Sequence, residues 1–307
     1  MRGGGWHPVG SRWEPIRCPK CGQDHDAREV YIYAGELSTV YHEESEIDRR
    51  YYAGQYCQYL RALAAEKQEA PVAEKLYKLT DQASQTYGGC QWGPGVEHTA
   101  SGDGELCNAG WLHAYTDPLL AVLLDPIHQS YWRGPRPRLW EAEGDIGKKD
   151  HGLKVGCTRL RTVREVSLPK VRTEQWVRFG ILTARQVYQE LGWVHWADRW
   201  LSGADRSVSA AENAASEAED VAWAARAGAA RAWAARESTE EAVAWSARAW
   251  AADSAAEAAR GAELACGPES AGEVGAKSAG AAEAAAWAAA RAGTNLNLVA
   301  LAEEAAR

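Results

Sequence analysis

The sequence predicts an α+β protein in three parts: an N-terminal segment built around a cysteine pair (residues 1–70), a small mixed α/β domain (71–202), and an Ala-rich all-α C-terminal region (203–307). Three observations carry this division. From residue 201 onward, 43 of 107 residues are alanine, the best helix former because its methyl group loses no rotamer freedom. In the middle of the chain, short strand-like runs alternate with apolar stretches at helical spacing. Near the start, Cys18-Pro19-Lys20-Cys21-Gly22 lies among Gly, Pro and Trp, with no long periodic pattern before it.

Composition narrows the function classes. With 307 residues the chain has room for two or three domains, and 46% hydrophobic with 25% charged residues is ordinary for a soluble protein. The side-chain choice is biased: 15 Trp and 12 Tyr against 1 Phe and 1 Met, the signature of GC-rich codons, so part of the alanine reflects mutational bias. No apolar run reaches the roughly 18 residues of a membrane span, and Met1–Trp6 lacks the apolar core of a signal peptide. The expectation is a cytoplasmic protein with no membrane partner. Seven cysteines, odd in number and widely spread, do not form a secreted disulfide framework. Of the net charge of −8, −7 falls in residues 201–307, which hold 9 Lys/Arg and 16 Asp/Glu. An acidic tail and an almost neutral remainder argue against a nucleic-acid partner. The small basic run of Lys148, Lys149, Arg159, Arg161 and Arg164 reads as solvated strand edges.

Along the first segment, Glu29–Tyr33 predicts a short strand. Glu46 to Lys67 predicts a helix, with Tyr52, Tyr56, Tyr59, Leu60 and Leu63 near helical spacing, before Pro71. In the second, Lys75–Leu79 predicts a strand, followed by a Gly-rich loop from Tyr87 to Gly95. Asp117-Pro118 starts a helix, since Asp caps well and Pro is tolerated at the first helical position. Leu119–Leu124 supplies the densest apolar cluster of the chain, and Asp125-Pro126 is expected to end that helix. Arg138–Glu143 and Val155–Val166 predict strands. Thr173 is expected to cap a helix reaching Leu191, and Trp193, Trp196 and Trp200 mark a further short one.

In the third segment, helices are expected near 206–236, 239–264, 278–292 and 296–306. Ser238 and Glu241 fit a capping box, and Cys266-Gly267-Pro268 fits a stop. A five-residue repeat runs through Trp223-Ala-Ala-Arg-Ala, Gly228-Ala-Ala-Arg-Ala and Trp233-Ala-Ala-Arg-Glu, then recurs at Trp245 and Trp250. A pentapeptide β-helix needs a regular large inward residue, whereas this repeat carries Trp, Gly or Ala, so α-helix is the stronger expectation. Alanine buries little area per side chain. These helices must therefore pack on each other, on the middle segment, or on another copy of the chain.

The sharpest chemical signal is Cys18-x-x-Cys21-Gly22. Two thiolates at this spacing can ligate one tetrahedral Zn²⁺, and the glycine lets backbone amides turn toward sulfur. Because no second Cys-x-x-Cys exists, the remaining ligands would come from His25 and Cys57, with His42 and His7 as other candidates. Such a closed site would be structural; the alternative is an unliganded pair of thiols. His113, in Gly110-Trp-Leu-His-Ala114, stands where the loop meets the apolar cluster. A lone histidine there is more often packed and hydrogen-bonded than a general base. Cys107, six residues before it, makes a Cys–His nucleophile pair conceivable, as do Cys90 and His98 in the preceding loop. No P-loop, dinucleotide-binding fingerprint or zinc-protease motif is present.

Lys75-Leu-Tyr-Lys-Leu79, Gly110-Trp-Leu-His-Ala114, Leu139-Trp-Glu-Ala-Glu143, Gly156–Glu165 and Trp200-Leu-Ser-Gly-Ala-Asp-Arg206 together resemble an uncharacterised family often encoded by actinobacteriophages, over residues 72–307. The resemblance implies a small α/β domain joined to an Ala-rich helical tail, in the cytoplasm of a phage host, and implies no activity. The order of strand, loop, Gly-x-His turn, helix and paired strands is also similar to ADP-ribosyltransferase-like domains, which would give His113 and Glu165 catalytic roles in binding NAD or a nucleotide. The chain departs from that pattern, since Lys75–Leu79 has neither the His nor the Arg of an early NAD-binding strand. The leading expectation is a non-enzymatic accessory protein that binds a host or viral protein partner. The alternatives are the transferase-like enzyme and a structural element that self-associates through its helices.

Overall fold

The computed structural model describes residues 16–18, 24–25, 75–106, 108–128, 137–235, 239–267 and 271–307. The chain divides into two compact units, Met1–Val72 and Ala73–Arg307. In the first, strands β1 (Ile16–Arg17) and β2 (Asp24–His25) pair antiparallel, with Ile16 opposite His25. The strand expected at Glu29–Tyr33 and the helix expected at Glu46–Lys67 lie outside the described residues.

The second unit begins with β3 (Leu76–Thr80), a small hairpin of β4 (Gln85–Thr86) and β5 (Cys90–Gln91), then β6 (Glu97–Thr99) and β7 (Leu112–Ala114). Helix α1 (Pro118–His128) follows, and then the long hairpin of β8 (Arg138–Asp150) and β9 (Lys154–Val166). Six helices complete the chain: α2 (Thr173–Ala184), α3 (Leu191–Ser202), α4 (Val208–Ala235), α5 (Thr239–Leu264), α6 (Ala271–Arg291) and α7 (Leu298–Ala306). The unit is thus α+β with an antiparallel sheet.

The sheet closes into a small barrel. β3 pairs with β8, β8 with β9, and the other edge of β9 carries both β6 and β7. Tyr115, one residue past β7, then returns to β3: Tyr77 N–H donates to Tyr115 O at 2.8 Å and Tyr115 N–H to Tyr77 O at 2.9 Å. Successive side chains of a strand face opposite sides, so Leu76, Lys78 and Thr80 point into the barrel and Tyr77 and Leu79 away from it. The interior holds Leu76, Trp92, Ala114, Ala142, Val155, Cys157 and Leu160. The outer side, with Leu79, Tyr115 and Leu139, joins a larger core shared with α1, α2 and the alanine helices.

The hairpin is longer than its sequence suggests. β8 continues past the expected end at Glu143, through Gly144 and Gly147 to Asp150. At both glycines a neighbour comes too close for a side chain: a Cβ on Gly144 would sit 2.3 Å from Arg159 O, and one on Gly147 would sit 2.6 Å from the Trp111 ring. At the tip, Leu153 N–H donates to Asp150 O, and both residues between have positive φ, His151 at 46° and Gly152 at 85°. That pattern matches the twist of paired strands. The tip plugs into the helices. Leu153 is fully buried in the shared core, and His151 meets Trp287 of α6 edge-on at 4.7 Å.

The alanine-rich region is α-helical, which removes the β-helix alternative. α4 packs on α5 and on α3, α5 on α6, and α2 lies against α5, α6 and α7, while α1 meets α6 and α7. Small residues allow the close approaches: a Cβ on Gly180 of α2 would meet Ser278 Cα of α6 at 3.2 Å, and the Ser254 hydroxyl donates to Ala281 O at 2.7 Å. The repeat has a packing consequence too. Gly228 stands where the flanking pentads carry Trp, and the Trp245 ring covers it, 2.7 Å from where a Cβ would be.

Several boundaries differ from expectation. α1 passes through Pro126 to His128, although its start is as expected, with Asp117 Oδ1 accepting from Leu120 N–H at 2.8 Å. α2 stops at Ala184, not Leu191, and its N-cap is Arg172, whose N–H donates to Gln175 Oε1. α6 starts at Ala271, seven residues before the expected 278, because Val274 and Gly275 are buried there and packing outweighs the low propensity of Gly272 and Gly275. Asn297 caps α7, accepting from Ala300 N–H at 3.1 Å. Ser238, proposed as a cap for α5, lies outside the described residues.

Candidate functional site

The one strongly perturbed amine of the described residues lies inside the barrel. Lys78, at the centre of β3, is 8% exposed, and its Nζ donates to His113 O of β7 at 2.7 Å. The same Nζ stands 5.1 Å from the centre of the Trp92 ring. The local fold explains the placement. β3 is tied to the β7 side only through the Tyr77–Tyr115 bridge, and the ammonium spans the remaining gap to a β7 carbonyl. Burial pushes the Lys78 amine down to about 8 from its ordinary 10.5; the nearby Cys90 and Cys157 pull it back up, and Lys154 pushes it further down. A buried amine next to a second cation is the arrangement that makes a lysine nucleophilic at neutral pH.

This burial has a stability signature. Between about pH 8 and 10.5 the unfolded chain holds a proton on Lys78 that the folded chain has released. The contribution of this group to stability is therefore lowest below pH 8 and rises with pH across that window. The displacement corresponds to a cost on the order of 3 kcal/mol at neutral pH.

His113 lies in strand β7 rather than at a loop-to-helix junction. Its ring Nε2 contacts Leu106 O; a carbonyl only accepts, so Nε2 carries the proton and ties the 101–111 loop to the strand. Burial pushes the imidazole below its usual range, with Lys78 and Lys154 acting the same way and the Leu106 carbonyl against. Glu165 is elsewhere. Its carboxylate takes a two-pronged ion pair from Arg138, with Nε–Oε1 at 3.0 Å, and the Arg138 hydrogen bond holds it below the ordinary carboxylate range. Arg138 also lies over the Trp140 ring at 4.9 Å. His113 sits opposite Gly156 of β9, and Glu165 is nine residues further along that strand. At about 3.3 Å per residue the two are roughly 25–30 Å apart. The structure does not bring the expected catalytic pair together, because a single continuous strand separates them.

The basic run is neutralised across the hairpin. Arg159 binds Asp145 through two nitrogens at 2.9 Å and Glu97 at 3.2 Å, Arg161 binds Glu143 at 3.2 Å, Arg164 binds Glu141 at 2.5 Å, and Lys148 binds Glu105 at 2.9 Å. Val163, 41% exposed, is the extra residue where the β8–β9 register shifts. A concavity of about 420 Å³ lies between the α2–α3 connection and helices α5 and α6, with Tyr188, Glu190, Arg248 and Thr294 over an alanine floor. Burial pushes the Tyr188 phenol up to about 12, and Arg248 and Glu190 pair there at 3.1 Å.

Of the residues considered for metal, Cys18 follows β1 directly and is 1% exposed, and His25 ends β2, the antiparallel partner of β1. Cys21 and Cys57 lie outside the described residues, as does Cys107 of the conceivable Cys–His pair. Among the described residues no group of three His, Cys, Asp or Glu could hold a metal ion, and no helix is long and apolar enough to cross a membrane. Sequence reasoning singled out His113 and missed Lys78, although the shared parity of Leu76 and Lys78 in one strand was a usable signal. No family model, no curated protein and no solved structure matches the chain.

Proposed function

We propose that the protein is a non-enzymatic accessory protein that binds a protein partner through the outer face of its β8–β9 hairpin, carried on the alanine-rich helices as a rigid support. The observation that carries this is the ladder of exposed, cross-strand ion pairs on one face of the hairpin, Arg164–Glu141, Arg161–Glu143 and Arg159–Asp145. Charges of both signs in fixed order select a complementary protein surface and steer its approach. They differ from the unbalanced basic stripe that tracks phosphates. Separation of His113 from Glu165 speaks against the transferase-like alternative. Self-association through the helices is disfavoured because the alanine faces of α4–α7 are spent on each other and on α1 and α2. The phage-family resemblance adds the host cytoplasm as the setting of this role.

The test is affinity capture from cells that naturally produce the protein, followed by calorimetry with the purified candidate. The double variant Arg161→Glu with Arg164→Glu is expected to weaken binding about tenfold or more, since like charges then face across the interface. Stability is expected to fall by about 1–3 kcal/mol, from the loss of two exposed pairs and the repulsion of each new Glu from Glu143 or Glu141 opposite it, which leaves the chain folded for the binding measurement. Equal binding by the variant contradicts the proposal.

We further propose that the N-terminal hairpin holds a structural zinc ion. Cys18 directly follows β1, His25 ends its partner β2, and Cys18 is buried, which fits the chemistry of a knuckle in which Cys21 and Cys57 supply further ligands. Bound zinc would cross-link the N-terminal segment and hold its thiolates deprotonated. Metal analysis of purified protein is expected to find about one zinc per chain, lost in Cys18→Ser. Zinc-free wild-type protein, or unchanged content in the variant, refutes the site.

A further inference from the structure

We infer that the concavity between the α2–α3 connection and helices α5 and α6 binds a free α-amino acid with a large apolar side chain, its carboxylate on Arg248, its ammonium on Glu190 and its side chain on the alanine floor. This goes beyond the binding role above and does not depend on it. The fold makes the hollow. α2 lies against α5 and α6 until it ends at Ala184, and there the chain turns off toward α3. Past that point the groove between α5 and α6 loses its cover and opens to about 420 Å³. Ala247 and Ala251 of α5 and Ala288 and Ala289 of α6 form its floor. Methyl groups on helices have no rotamers, so no side chain of the floor can swing in and fill the space.

Three polar groups set the chemistry of the ligand. Arg248 Nη2 donates to Glu190 Oε1 at 3.1 Å, and both side chains are half exposed at the rim. A bare carboxylate could bind Arg248 but would meet Glu190 beside it, and a bare amine on Glu190 would meet Arg248. A molecule with a carboxylate and an ammonium on one carbon atom lays opposite charges against both. The third group is the Tyr188 phenol. Tyr188 is 4% exposed, and its hydroxyl makes no hydrogen bond to any described residue. It stands in the fields of Arg248, Glu190 and, from α4, Glu217, which places it to donate to a carboxylate bound at Arg248. The Gln186 and Gln189 amides of the lining are turned back onto their own chain, donating to Leu182 O and Arg185 O. The floor gains from covering apolar area, which selects a large apolar side chain over a small one.

The test is calorimetry of the full-length protein with L-phenylalanine. Three comparators each lack one feature: phenethylamine the carboxylate, 3-phenylpropionate the amine, and glycine the apolar side chain. L-Phenylalanine is expected to bind about tenfold or more tighter than any of them. Arg248→Ala is expected to abolish its preference over phenethylamine, and Ala247→Leu, which fills the floor, to weaken its binding about tenfold. Arg248 is half exposed, so its variant keeps the fold whether or not Ala247→Leu does. Absence of saturable L-phenylalanine binding at millimolar concentrations overturns the proposal. So does binding no tighter than that of phenethylamine or 3-phenylpropionate, and so does unchanged affinity in Arg248→Ala.

Discussion

Replacing Trp193 by alanine is expected to destabilise the protein by about 3–5 kcal/mol, the range for deleting a large buried aromatic side chain. Trp193 is 1% exposed at the start of α3, where Tyr188 meets it edge-on at 5.6 Å and Trp196 packs on it at 5.5 Å. Its indole N–H donates to Ala255 O of α5 at 3.1 Å, so it is also a polar tie between the α2–α3 region and the alanine helices. The alanine surfaces around it are stiff and offer no long side chain to fill the void. At roughly 2–4 °C per kcal/mol for a domain of this size, Tm should fall by about 10 °C. Trp223 is the control within the same molecule. It is 73% exposed on α4, and Trp223→Ala is expected to change stability by less than about 0.5 kcal/mol. Thermal unfolding of the two variants checks the contrast. Equal effects would mean that burial does not set how much each tryptophan contributes.

The alanine helices were legible in the sequence because their signal is intrinsic. α4 and α5 fall within two residues of the expected 206–236 and 239–264, where high propensity and clear breakers agree. Where propensity and packing disagree, packing wins: α6 reaches back over Gly272 and Gly275 because Val274 is wholly buried. The long hairpin was only half legible. Glu143-Gly-Asp-Ile-Gly-Lys-Lys-Asp150 has the composition of a loop, and its glycines mark close approach of Arg159 O and Trp111, contacts that no local pattern reveals. Barrel closure was invisible for the same reason. It rests on a single bridge between Tyr77 and Tyr115, and each partner looks like an ordinary strand-end aromatic.

The site was legible in its parts and not in its arrangement. His113 stood out by its motif, yet its ring nitrogen is engaged in holding the 101–111 loop. Glu165 was taken from a strand order, and the strand is there, but its carboxylate faces solvent beside Arg138. Lys78 drew no notice because lysine in a short strand is usually solvated. Only pairing with β8 and the return of Tyr115 turn that face inward, and a lysine turned inward loses its hydration and with it much of its proton affinity.

The central claim is that the barrel and the alanine helices are one folding unit from Ala73 to Arg307, with the helices acting as support. Ending the chain at Ser202 tests this most directly, by circular dichroism and thermal unfolding of the truncated protein beside the full chain. Truncation uncovers the faces of α1 and α2 that meet α5, α6 and α7, among them Leu120, Leu123, Val177, Phe179 and Ile181, all now buried. It also removes the seat of Leu153 at the hairpin tip. Each such side chain contributes about 1.5–3 kcal/mol by burial, so exposing most of them removes an amount comparable to the roughly 5–15 kcal/mol that hold a domain folded. The expected result is a truncated chain with no cooperative transition and no fixed near-ultraviolet signal. A sharp unfolding transition from residues 1–202 alone would contradict the account and make the alanine helices an independent domain.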